Sequence, residues 1–170
     1  MVEFDVGQGI RTAVLVEGTS DKVAVETLAR GRGVDLGRVA VVALGGVTNA
    51  ANFLALVDTR MLRVAGLCDV GERRYFDRVL ETVFVCDPDL EGEFIRALGI
   101  EGVEAVVEGL GQLHDLRVFQ NQPFQRERPA EDQLRRFMGT TSGRKALYAR
   151  ALAEALGTPP PPLEALLDWI

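Results

Sequence analysis

At 170 residues the chain has room for one domain, or one domain with an appendage, and can bury roughly two-thirds of the surface its unfolded form exposes. Its 47% hydrophobic and 26% charged content is that of a soluble globular protein, and no run of ~18 apolar residues offers a membrane span. A net charge of −6 argues against a general polyanion binder, and the acidic start Met1-Val2-Glu3-Phe4-Asp5, unlike a basic signal peptide, points to the cytoplasm.

Residues 1–10 hold two glycines and little pattern and read as an arm. Residues 13–16 are an apolar run, a short buried strand that stops at Glu17 and Gly18. Ser20 is placed to cap a helix over 21–30, which Gly31 and Gly33 stop. Residues 39–44 form a second buried strand, turned by Gly45-Gly46 into a helix over 49–59 with Phe53, Leu56 and Val57 inward. Residues 64–68 are a third strand ending at Asp69. A helix over 72–80 follows, with Phe76, Val79 and Leu80 inward. Residues 83–86 are a fourth strand ending at Asp87, before a helix over 90–98 closed by Gly99. For 103–107, periodicity leaves strand and helix open. From Gly111 onward the stretches 113–120, 130–138, 144–156 and 163–169 read as helices, and the proline run 159–162 reads as a stiff linker.

Strands alternating with helices predict βαβ units, a parallel sheet of about four strands and right-handed crossovers. The expected organisation is an arm over 1–10, an α/β core over 11–110, and a helical extension over 111–170 packed on that core. Every strand then ends at one edge, so Glu17, Asp69 and Asp87 share it. Ligands of open α/β sheets bind beyond that edge.

Three acidic groups follow successive strands: Glu17 with Asp21, Asp69 with Glu72, and Asp87-Pro88-Asp89-Leu90-Glu91. Converging carboxylates raise each other's pKa, and a divalent cation relieves the repulsion. With one histidine, His114, and two cysteines, Cys68 and Cys86, that read as small buried residues on neighbouring strands, carboxylates are the available ligands. Carboxylates select Mg²⁺ or Mn²⁺. The competing reading is that Asp21, Asp89 and Glu91 only favour the first turns of their helices. Charge is also uneven: residues 1–112 carry 11 basic and 18 acidic side chains, and residues 113–157 carry 8 basic and 5 acidic. Arg126, Arg128, Arg135, Arg136 and Arg144 are candidate nucleic-acid contacts, or a solvated helical surface.

The order strand–Glu–helix, strand, strand–Asp resembles the TOPRIM domain of the OLD-type (overcoming lysogenisation defect) nucleases. Val16-Glu17-Gly18 with Ser20-Asp21 is similar to their first motif. The stretch from Gly45-Gly46 to Asn52-Phe53 looks like their second strand and helix. Val83-Phe84-Val85-Cys86 followed by Asp89-Leu90-Glu91 is similar to their strand followed by Leu-Glu, and Ser142-Gly143-Arg144-Lys145 resembles the region of their basic residue. The resemblance implies a Rossmann-like TOPRIM fold and Mg²⁺- or Mn²⁺-dependent cleavage of nucleic-acid phosphodiesters, with DNA the expected substrate. It gives catalytic roles to Glu17 and Lys145, and metal-ligand roles to Asp21, Asp69, Asp89 and Glu91, with Glu72 and Asp87 as added candidates.

Two departures stand out. The family's Asp-x-Asp reads Asp69-Val70-Gly71 here, so either Glu72 substitutes from the next position or the second metal position is lost. OLD-type nucleases also carry an ATPase domain, whereas this sequence has no Gly-x-x-x-x-Gly-Lys-Ser/Thr, so a separate ATPase subunit is the expected partner and a membrane is not. The rival expectation is a non-catalytic TOPRIM-like module that binds a metal or nucleotide and regulates a partner.

Overall fold

The structure, a computed structural model, describes Gly7, residues 9–140 and residues 143–170. The arm expected over 1–10 therefore lies largely outside the described residues, as does Ser142.

Among the described residues, four strands form one parallel sheet in the order β2-β1-β3-β4. They are β1 (Thr12–Val16), β2 (Val39–Ala43), β3 (Arg63–Asp69) and β4 (Val83–Cys86). Val14 lies opposite Val41 on one side and Ala65 on the other, and Leu67 lies opposite Phe84. All five residues of β1 are buried, as expected of a central parallel strand covered on both faces. Alternation splits them: Val14 and Val16 join one core, and Ala13 and Leu15 join the other.

The two faces are covered unequally. On the first lie α1 (Thr19–Gly31), α4 (Leu90–Gly109), α6 (Ala130–Gly139), α7 (Arg144–Ala155) and α8 (Pro161–Trp169), whose buried side chains form one core from Val14 to Leu167. α5 (Leu113–Gln120) adds Leu116 to it. Among the described residues the second face has only the short α2 (Ala50–Leu56) and α3 (Arg73–Phe76) as α-helices, anchored by the fully buried Phe53 and Phe76. Gly66 in β3 is required there: a Cβ on it would sit 2.4 Å from the Phe76 ring.

Several local expectations are corrected. α1 begins at Thr19 with Gly18 as its N-cap, so Ser20 does not cap it. Asp21 serves the helix start instead, its Oδ2 accepting the Gly18 amide at 2.9 Å. α2 stops at Leu56, which is 64% exposed rather than inward, because Val57 turns extended. The helix expected over 72–80 is a 3₁₀ turn over Val70–Glu72 followed by α3, and Val79 is exposed. Residues 103–107 are helical, with Val103 and Val107 four apart and both fully buried. Gly99 does not end the helix for good: its φ of 73° breaks α4 internally and the helix resumes. Pro161 begins α8, where a missing amide is tolerated, so the proline run is partly helix start and only partly linker. Among the described residues, no helix is long and apolar enough to cross a membrane.

Candidate metal centre and its basic groove

Glu17 follows β1 and Asp69 ends the adjacent β3, so sheet register alone sets them side by side. The loop carrying Glu17 is fixed by the Gly45-Gly46 turn, whose amides donate to the Glu17 carbonyl at 2.9 and 3.4 Å. Both glycines have positive φ, 67° and 131°, which side-chain-bearing residues rarely adopt. The 3₁₀ turn after Asp69 folds Glu72 back toward the edge. One carboxylate oxygen from each of Glu17, Asp69 and Glu72 lies within 4.8 Å of the others. Oxygens around one Mg²⁺ at ~2.1 Å are at most ~4.2 Å apart, so a small closure would bring all three into one coordination sphere.

Electrostatics describe the same strain. Burial pushes the Asp69 carboxyl up to about 7, with repulsion from Asp21, Asp89, Glu91 and Glu72 adding to it. Glu72 is raised to about 7 by burial and by a carboxyl–carboxyl hydrogen bond with Glu17. Its Oε2 is sealed from solvent without a hydrogen-bond partner. Asp21 is raised to about 6 by burial and by the charges of Glu91 and Glu17, opposed by the Gly18 amide and by Lys145. A hollow of about 10 Å³, lined by Glu17, Asp21, Asp69 and the apolar floor of Leu67 and Leu90, has the room of one water or small ion. Three oxygen donors, an orphaned buried oxygen and protons held to near neutrality together fit a hard divalent cation.

Asp89 and Glu91 lie nearby but are differently engaged. Asp89 caps α4, its Oδ1 accepting the Gly92 amide at 2.8 Å, while its Oδ2 accepts Arg135 Nη2. Glu91 pairs with Lys145 at 3.7 Å. Asp87 is exposed and stands apart from the triad. Its backbone is held by Glu93, a 4%-exposed acid whose Oε1 accepts the Asp87 amide at 3.0 Å and whose Oε2 pairs with Arg96 at 2.9 Å. Sequence reading passed over Glu93; its i, i+3 spacing from Arg96 was the available signal.

Beyond Asp89 and Glu91 opens a groove of about 520 Å³ bordered by Arg128, Arg135, Arg136 and Lys145, with Asp132, Gln125 and Thr140. Of the five arginines singled out in sequence, Arg128, Arg135 and Arg136 line this groove. Arg126 instead donates to the Asn121 carbonyl, and Arg144 lies 4.4 Å over the Phe137 ring. Cys68 and Cys86 are free and buried on neighbouring strands, and burial pushes the Cys68 thiol up to about 12, so neither offers a thiolate near neutrality. His114 is exposed on α5.

Residues 10–70 match the family model of the overcoming lysogenization defect protein-like TOPRIM domain. Over that stretch the chain is similar to an OLD-like TOPRIM domain. Solved structures agree in fold. The C-terminal region of the Burkholderia pseudomallei OLD protein superposes with a TM-score of 0.66 at 18% identity, covering 94% of this chain and 96% of that one. The C-terminal region of the Xanthomonas campestris pv. campestris OLD protein, phased with platinum, gives 0.69 at 20% identity, covering 94% and 91%. No curated protein matches the chain significantly. The matched TOPRIM stretch holds Glu17, Asp21 and Asp69, whereas Glu72, Asp89, Glu91 and Lys145 come from the sequence after it.

Proposed function

We propose that the chain is a Mg²⁺- or Mn²⁺-dependent nuclease that hydrolyses nucleic-acid phosphodiesters, with DNA as substrate, working in the cytoplasm beside a separate ATPase subunit. The observation that carries the reading is the convergence of Glu17, Asp69 and Glu72 next to a groove bordered by four basic side chains.

Glu17, Asp69 and Glu72 would hold the ion, and Asp21 adds negative charge behind them. When bound, the ion supplies Lewis-acid stabilisation of charge on a phosphoryl oxygen. Burial, and then the adjoining Glu17 carboxyl, let Glu72 keep its proton up to about 7, so ion binding must expel that proton and affinity must rise with pH. Arg128 and Arg136 offer the phosphate backbone charge from the groove wall. Lys145, 56% exposed and 3.7 Å from Glu91, can turn toward a scissile phosphate without first breaking a tight pair. A second reading, a binding module without catalysis, is favoured by Gly71 standing where the family's second Asp-x-Asp carboxylate belongs.

The test is cleavage of supercoiled plasmid by the purified chain with Mg²⁺ or Mn²⁺, alone and with a candidate ATPase subunit. The nuclease reading expects metal-dependent nicking that Glu17→Gln abolishes. Nicking undiminished in Glu17→Gln would refute it, and ion binding without nicking under any of these conditions would leave the binding module.

A further inference from the structure

The carboxylates at this sheet edge fall into two sets with opposite charge surroundings. Among the described residues no Lys or Arg forms an ion pair with Glu17, Asp69 or Glu72, and one of their buried oxygens is unpartnered. Asp89 and Glu91, at the start of α4, are both answered by cations from the C-terminal helices. Both Asp89 oxygens are engaged: Oδ1 is the N-cap acceptor for Gly92, and Oδ2 accepts Arg135. The Asp89 side chain is 20% exposed and that of Arg135 33%, so solvent screens this pair only partly. Asp132, 3.6 Å from Arg135 Nη1 on the same helix, braces the guanidinium from its other side.

Charge-assisted Arg–carboxylate pairs are among the stronger protein hydrogen bonds. A second divalent ion at Asp89 would have to expel a guanidinium that cannot lose its proton, and would then share the space with it. We propose that Arg135 is a built-in counter-cation for Asp89, beside Lys145 at Glu91, so that the chain binds one divalent ion, at Glu17, Asp69 and Glu72, and no second ion between Asp89 and Glu91. Gly71 agrees with this, since it supplies no further carboxylate to bridge two ions. The inference rests on the proposed metal centre but concerns how many ions it takes and which residue sets that number.

The experiment counts bound Mn²⁺ per folded chain by equilibrium dialysis at pH 8 and metal analysis, with melting curves confirming that each variant folds. The wild type should bind one ion. Arg135→Met removes the charge while keeping most of the stem, and should bind two. Arg135→Lys restores a cation and should return the count to one. Asp89→Asn keeps an N-cap acceptor, and should bind one ion with affinity changed by no more than about twofold. Two ions in the wild type would overturn the inference and leave the metal centre standing, as would a count of one in folded Arg135→Met or loss of the ion in Asp89→Asn. No ion in the wild type would overturn the metal centre and this inference together.

Discussion

Glu17, Asp69 and Glu72 on one side, and Asp89 and Glu91 on the other, are the same chemistry at the same sheet edge. In the first set Asp69 and Glu72 hold protons up to about 7 and Glu72 has an orphaned oxygen, while the second set is matched by Arg135 and Lys145. A carboxylate after a strand is therefore not by itself a ligand. What distinguishes a ligand is whether the fold has already given it a cation, and here the C-terminal helices did so for one set only.

The sharpest way to break this contrast is to neutralise one member of the unmatched set. Glu17→Gln should lower metal-dependent plasmid nicking by at least ~100-fold, the scale of a lost acid–base or charge-organising group. Lys145→Ala should come next, with turnover reduced ~10–100-fold and DNA affinity changed far less, because a charge beside the scissile phosphate acts mainly in the transition state. Single-turnover rates set against filter-binding affinities separate the two effects.

The pH dependence of folding sharpens the contrast without any substrate. Asp21, Asp69 and Glu72 bind protons more tightly when folded than when unfolded. Their contribution to stability is thus fully present below pH ~4 and is lost as pH rises through about 7. Metal-free protein should melt at lower temperature at pH 8 than at pH 5. Millimolar Mg²⁺ should raise the melting temperature at pH 8 far more than at pH 5, since only the deprotonated site binds it. Asp21→Asn keeps an acceptor for the Gly18 amide while removing the buried charge, and should stabilise the metal-free protein at pH 8 by on the order of 2 kcal/mol. Denaturant titration checks the sign. The smallest effect is expected in the groove: Arg128→Ala or Arg136→Ala should each flatten the salt dependence of DNA affinity by about one unit of slope while leaving the ion count unchanged.

Much of this was legible in the sequence because the strands are largely apolar runs and β1, β3 and β4 lead into acids. Glu17 and Asp69 could be placed on one sheet edge from the alternation of strands and helices; that they are neighbours follows from the β1–β3 pairing. Two things could not. Whether Glu72 reaches the centre depended on the chain taking a 3₁₀ turn after Asp69 rather than entering a helix directly, and Gly71 left that choice to tertiary packing. The Asp89–Arg135 pair spans 46 positions, and no local pattern announces such a partner, so Arg135 read as a nucleic-acid contact or surface arginine and Asp89 as a metal ligand or first-turn acid. The short α2 and α3 were over-read for a related reason. Leu56 and Val79 fit a helical stripe, but α2 ends at Leu56 and α3 at Phe76, so neither side chain is carried inward.

The most direct test of the central claim is an anomalous difference map from a crystal of the protein soaked in Mn²⁺ at pH 8. The expected result is one peak, bound by Glu17, Asp69 and Glu72, with Asp89 still joined to Arg135. A map with no peak at the triad, or with its principal peak between Asp89 and Glu91, would contradict it.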